Sequence, residues 1–183
     1  MLHPRVALVL VGLVAAVGLP QASPHPVQSP APTVLVMNTV QGTVEIELLP
    51  DAPKSVARVL ELVKRNFYRG LRIHVAQPGL VQFGDPATRN MENMSSWGYG
   101  GSGRRLGFSE PGKRPFTRGI VGYAFPAGEG PDQADCQLFI LKAANPAMNA
   151  RNAVVGCVIV GMDVVDKLRH ADVIRNITLR TAS

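Results

Sequence analysis

From Thr33 onwards the chain alternates between hydrophobic and polar residues in short runs, and the period of the alternation changes along its length. Thr33 to Asn38 and Gly42 to Leu48 are β-like, and Val40-Gln41-Gly42 between them is a hairpin signal. In the second run Val44, Ile46 and Leu48 alternate with Thr43, Glu45 and Glu47, which predicts a strand with one buried face. The period then becomes helical, with Val56, Val59, Leu60 and Val63 forming one apolar stripe. Asp51 is placed to cap this helix, and Pro53 falls in its first turn, where a missing N–H costs nothing. The helix ends before Tyr68, and Gly70 supplies the turn. Leu71 to Val75 and Leu80 to Phe83 are short strands around a Pro78-Gly79 turn. Asp85 to Gly119 is loop-rich, with glycines clustered around Trp97. Further strands follow at Gly119 to Phe125, Cys136 to Lys142 and Ala153 to Val160. Met162 to Arg169 is a short helix with Met162, Val165 and Leu168 on one side, and Val173 to Leu179 is the final strand. The pattern predicts a mainly β fold, a closed antiparallel barrel of about eight strands capped by two helices.

With 183 residues, the chain suits one well-buried domain and is short for two. Apolar residues at 46% against 17% charged exclude a largely disordered chain, and no fixed-period repeat suggests a solenoid or propeller. The start departs from this picture. His3 and Arg5 precede Val6 to Leu19, an uninterrupted run of apolar residues and glycine. That run falls short of the roughly 20 residues a membrane span needs. Residues 1–22 are therefore expected to be a signal peptide, cleaved near Ala22, the alternative being a retained N-terminal anchor. Residues 23–32 (SPHPVQSPAP) are a Pro/Ser-rich linker, and 33–183 are the folded domain. Export to the periplasm or the cell exterior follows as an expectation, with no stable membrane insertion once the signal is removed.

Formal charge is +6; removing 1–22 takes only Arg5, leaving 18 Lys plus Arg against 13 Asp plus Glu, or +5. The basic residues come in pairs such as Arg104-Arg105 and Lys113-Arg114, and no nucleic-acid motif accompanies them. They are expected to be a solvated surface. Cys136 and Cys157 fall in apolar strand-like runs, which favours two buried thiols, although an oxidising compartment leaves a disulfide open. Neither has a His or Cys at metal-ligand spacing, and no metal or cofactor is expected. The glycines from Gly98 to Gly103 lack the preceding strand, following helix and Lys-Ser/Thr of a phosphate-binding loop.

Phe67-Tyr68-Arg69-Gly70-Leu71-Arg72-Ile73-His74 is followed by Pro78-Gly79-Leu80-Val81-Gln82-Phe83-Gly84-Asp85-Pro86. With Cys136-Gln137-Leu138-Phe139-Ile140 and Val155-Gly156-Cys157-Val158-Ile159-Val160-Gly161-Met162-Asp163-Val164-Val165, these segments resemble the cyclophilins, a family of peptidyl-prolyl cis-trans isomerases. The resemblance covers about Thr33 to Leu179, and Trp97 to Gly103 is similar to a loop found in some bacterial members. It implies a barrel that binds proline-containing polypeptides on one face, and a monomer that uses no cofactor. Gln82 and Gln137 match the family's two glutamines and are the candidate catalytic residues. Leu80, Phe139 and Met148 match the apolar wall of the proline pocket, and Ala124 and Phe125 the adjoining strand end.

The departures are as informative. Val75 stands where the family has an arginine that donates towards the prolyl nitrogen and carbonyl. Asn152 replaces a histidine, and Ala147 a tryptophan. Pro78 to Gln82 is one residue shorter than the family's pattern, so either a bulge is lost or the groove is reshaped. The Tyr-x-Gly-Leu-x-x-His register makes His74 the family histidine, although another gap placement would put it at the arginine position. Arg72 is expected on the surface, while the glycine-rich loop offers Arg89, Arg104 or Arg105 as alternative donors to the groove. Val75, Leu80, Ala124, Phe125, Phe139, Met148 and Asn152 are thus the candidate substrate-binding residues. The resemblance implies an isomerase that assists folding with reduced activity, or a non-catalytic proline-peptide-binding module.

Overall fold

In the computed structural model, which describes residues 32–126 and 128–180, the first two runs form an antiparallel hairpin. β1 (Val34–Thr39) pairs with β2 (Thr43–Leu48), and Val44, Ile46 and Leu48 turn inward as their alternation predicts. The expected signal peptide and all but the end of the linker lie outside the described residues. Helix α1 (Pro53–Lys64) follows, then β3 (Val75–Ala76), β4 (Leu80–Phe83), β5 (Ile120–Tyr123), β6 (Leu138–Leu141) and β7 (Val154–Val160). Helix α2 (Met162–Lys167) and β8 (Ile174–Leu179) complete the fold.

All strand pairs are antiparallel, in one eight-stranded sheet of order β3-β4-β6-β5-β7-β2-β1-β8. The sheet is mainly β architecture as expected, but it is a curled half-barrel rather than a closed one. β3 and β8 are its two edges, and between them lies only an isolated bridge from Arg72 to Val173. Most of the expected strand from Leu71 to Val75 is consumed in that seam. The Gly70 amide donates to Ile174 O, Ile73 N to Asp172 O and Ala171 N to Ile73 O, at 2.8–2.9 Å. Leu71 and Ile73 are fully buried there without forming a ladder, leaving a two-residue β3.

The core fills the space inside the curl. Met37, Val44, Val59, Leu62, Leu71, Ile73, Val81, Phe83 and Ile140 are all at 0% exposure, and the residual void is about 10 Å³ with an apolar lining. A space that small and that apolar holds neither ligand nor water, so any binding site lies on the outside of the sheet. The helix α1 stripe is wider than its sequence suggests. Val59 and Val63 are buried with Leu62, Ser55 and Arg58, while Val56 and Leu60 sit at its margin. Its cap is also different. Asp51 forms a two-pronged ion pair with Arg114, at 3.0 and 2.9 Å. The free amides of the first turn are met by Glu110, 55 residues away, which accepts from Lys54 N, Ser55 N and Ser55 Oγ at 2.7–3.2 Å. A carboxylate at that end also opposes the positive pole of the helix.

Candidate functional site

One row of residues crosses four strands. Val75 lies opposite Gln82, Gln82 opposite Phe139, and Phe139 opposite Gly122. Directly opposed residues share a face; the next row, Val81, Ile140 and Val121, packs into the core inside the curl, whereas Phe139 packs with Leu80 and Met148 in a separate cluster on the other face. Gly122 is required here, because a Cβ would lie 2.5 Å from the Phe139 Cζ atom. The shortened hairpin is absorbed cleanly. Gln77 N donates to Leu80 O across a tight turn, and neither the β3–β4 nor the β4–β6 ladder shifts register. The shorter segment leaves both ladders regular, and Gln82 keeps the face it shares with Val75 and Phe139.

Two adjoining hollows flank this row. The first, about 320 Å³, is walled by Leu80, Phe139 and Met148, with Ala147 and Asn152 at its sides. The second, about 610 Å³, holds Val75, His74 and Gln137 beneath the glycine-rich loop. Gln82, Ala124 and Phe125 line both. The candidate residues chosen from sequence are thus brought together on one surface. Asn152 is buried and donates its Nδ2 to Tyr123 O at 2.9 Å, so it braces the floor rather than offering a titrating group.

The hydrogen bonds separate the two glutamines. Gln137 Nε2 donates to Gly98 O and Gly100 O at 2.9 and 2.8 Å, a position only the amide nitrogen can satisfy. Its Oε1 then accepts from Gln82 Nε2 at 2.8 Å. Both N–H bonds of Gln137 are thus used within the fold. Gln82 keeps one N–H and its carbonyl oxygen for the groove, between the two hollows.

Sequence reasoning missed what holds the loop. Asp85 is at 0% exposure, and its carboxylate accepts from Ala87 N at 2.7 Å, Gly98 N at 2.5 Å and Gly100 N at 3.0 Å. Gly100 tolerates no side chain, since a Cβ would collide with that carboxylate. Further along, Asp135 takes Ser102 N at 2.6 Å and the Ser102 hydroxyl, beside buried Arg58. Three amides of this loop, those of Gly98, Gly100 and Ser102, are thus occupied by the protein's own carboxylates. The only sequence signal was Gly-Asp-Pro after a strand, ahead of a glycine cluster.

His74 sits under the loop with both ring nitrogens lacking a partner, and burial, opposed by the Asp85 charge, holds its pKa below the usual value. It stays neutral at neutral pH. Among the arginines, Arg72 is half-buried and bonded to Ala171 O at 3.0 Å, rather than at the surface as expected. Arg89 is engaged by Phe67 O at 2.7 Å and Arg104 by Glu61 at 3.1 Å. Arg105 alone of these lines one of the two groove hollows, paired with Glu129 at 3.0 Å. Both cysteines are free thiols. Cys136 is buried and its pKa is pushed up to about 12 by burial, whereas Cys157 is half-buried rather than buried. Among the described residues no cluster of three His, Cys, Asp or Glu could hold a metal, and no helix is long and apolar enough to cross a membrane.

Known proteins match this arrangement. The family model for cyclophilin type peptidyl-prolyl cis-trans isomerase/CLD matches residues 34–182. A probable peptidyl-prolyl cis-trans isomerase of Brucella suis biovar 1 is 37% identical over 147 residues, 78% of this chain and 74% of that protein. A peptidyl-prolyl cis-trans isomerase of Acinetobacter baylyi is 35% identical over 176 residues, 91% of this chain and 82% of that protein. A crystal structure of a Cryptosporidium parvum cyclophilin type isomerase superposes with a TM-score of 0.69 at 21% identity, over 82% of this chain and 99% of that one. Fold, groove and relatives converge: the chain belongs to the cyclophilin-type peptidyl-prolyl cis-trans isomerases.

Proposed function

We propose that this isomerase acts outside the cytoplasm, as a monomer, on proline-containing polypeptides, and that it turns them over more slowly than a groove bearing the family arginine. The observation that carries this reading is the placement of Gln82 between an apolar hollow and the Val75 wall. An X-Pro amide rotates over a barrier of about 18–20 kcal/mol, set by resonance of the nitrogen lone pair. Catalysis requires tighter binding of the twisted amide than of either planar form. Leu80, Phe139 and Met148 offer an apolar seat for the proline ring, and Gln82 can hold a flanking carbonyl while Gln137 fixes its orientation. A second structure of the Cryptosporidium parvum isomerase was determined in the presence of the dipeptide Ala-Pro (TM-score 0.68, 20% identity), which supports proline-peptide binding here.

At position 75, where the family arginine would stand, Val75 offers no donor for the pyramidal prolyl nitrogen. That same residue favours the second reading, a module that binds prolines without isomerising them. Exchange NMR on one Ala-Pro peptide separates the two. Cross-peaks between cis and trans forms that grow with added protein support slow catalysis; binding shifts with no rate increase support the module. Location outside the cytoplasm rests on His3, Arg5 and the Val6 to Leu19 run. N-terminal sequencing of protein from an extracytoplasmic fraction is expected to begin near Ser23. A full-length product confined to the cytoplasm would rule that location out.

A further inference from the structure

The two hollows differ in charge. In the second, Arg105 is paired with Glu129 at 3.0 Å and also bonded to Gln133, while Asp135 is held by Arg58 and Ser102. Its charges are largely compensated within the fold. In the first, Arg151 is the one ionisable side chain among the lining residues, and no carboxylate accompanies it. Among the described residues Arg151 has no ion-pair partner, although the chain's other groove arginine does.

Its backbone, by contrast, is fixed. Arg151 N donates to Met148 O at 3.2 Å, Asn152 N donates to the same carbonyl at 3.3 Å, and the Asn152 side chain is locked onto Tyr123 O. A short 3₁₀ turn at Pro146–Met148 leads into this clamp. The result is a fixed backbone carrying an exposed, unpaired cation on the rim of the apolar hollow. The small Ala147 beside it leaves that mouth open.

We propose that Arg151 is a specificity residue, selecting prolyl segments that carry an aspartate or glutamate next to the proline. This rests on the first hollow being the seat of the proline ring. A flexible guanidinium with no internal partner can meet a carboxylate on either neighbour of the seated residue, and it repels a lysine there. The pair is solvent-exposed, so its effect is modest and salt-sensitive.

The test compares kcat/KM by exchange NMR for end-blocked peptides Ala-Ala-Pro-X-Ala with X as Asp, Asn or Lys, and a companion set with X before the proline. In at least one set the wild type is expected to favour Asp over Lys by about fivefold, attraction and repulsion each contributing about two- to threefold. Asn falls between, and the spread shrinks at about 0.5 M salt. Arg151→Gln removes most of the spread and Arg151→Glu inverts it. Arg175→Glu makes the same charge change on β8, at an exposed position that lines neither hollow, and leaves the order intact. Equal rates for all peptides in both sets overturn the inference. So does an order that Arg151→Glu fails to invert, or one that Arg175→Glu inverts equally, which would trace it to the overall charge. If the wild type neither binds nor isomerises any peptide, the functional reading itself falls, and the inference with it.

Discussion

Val75→Arg is expected to raise kcat/KM toward an Ala-Pro peptide by about 10- to 150-fold. That range is the rate equivalent of one charge-assisted hydrogen bond, roughly 1.5–3 kcal/mol, made only in the twisted state. Position 75 suits the exchange. It stands directly opposite Gln82, half-buried, and opens into a hollow of about 610 Å³ with space for a longer side chain. Peptide affinity should change little, because the apolar seat of Leu80, Phe139 and Met148 belongs to the other hollow. Rates come from exchange NMR and affinities from titration of the same peptide. A wild type that is already fast, and that the arginine does not improve, would mean that another donor serves the groove. Arg105, which lines the same hollow, would then have to leave Glu129 to do so.

Asp85→Ala is expected to cost about 3–5 kcal/mol of folding stability and to weaken turnover by about tenfold or more. Removal of the carboxylate orphans the amides of Ala87, Gly98 and Gly100 at a fully buried site. Turnover suffers through a different route. The carbonyls of Gly98 and Gly100 aim Gln137, which in turn aims Gln82, so a loosened loop misplaces the groove's remaining polar group. Urea unfolding reads the first effect and exchange NMR the second. A variant with the wild-type midpoint and rate would show that the loop holds its shape without this anchor.

How much of this was legible in the sequence depends on the range of the interaction. Local patterns carried the strands and helices: Val44, Ile46 and Leu48 point inward because period-two alternation can bury only one face. The site residues were found through the family resemblance, and their meeting depends on strand order, which alternation alone does not reveal. Long-range partners were invisible. Asp51 has the right residue type to cap α1, yet Arg114 captures it and Glu110 caps in its place. The closed barrel was a reasonable count of strands. What it could not foresee was that residues 70–73 would meet residues 171–174 through scattered bonds rather than a ladder. The role of Asp85 was hidden for the same reason: a buried carboxylate looks like any turn aspartate until the loop it anchors folds back over it.

The pairing of β1 with β8 has a consequence for the order in which the chain assembles. β1 is the first strand of the domain, and it is flanked by β2, its immediate neighbour in sequence, and by β8, whose Asn176 meets Asn38 across 138 residues. A nascent chain can form the β1–β2 hairpin early, but one edge of β1 stays bare until β8 emerges. Such non-local closure is slow, and it keeps strand edges and apolar side chains such as Leu35 and Met37 uncovered during synthesis. Completion is therefore delayed to the end of the domain's own translation. The interval before β8 emerges is therefore the vulnerable one, in which a holding chaperone would bind.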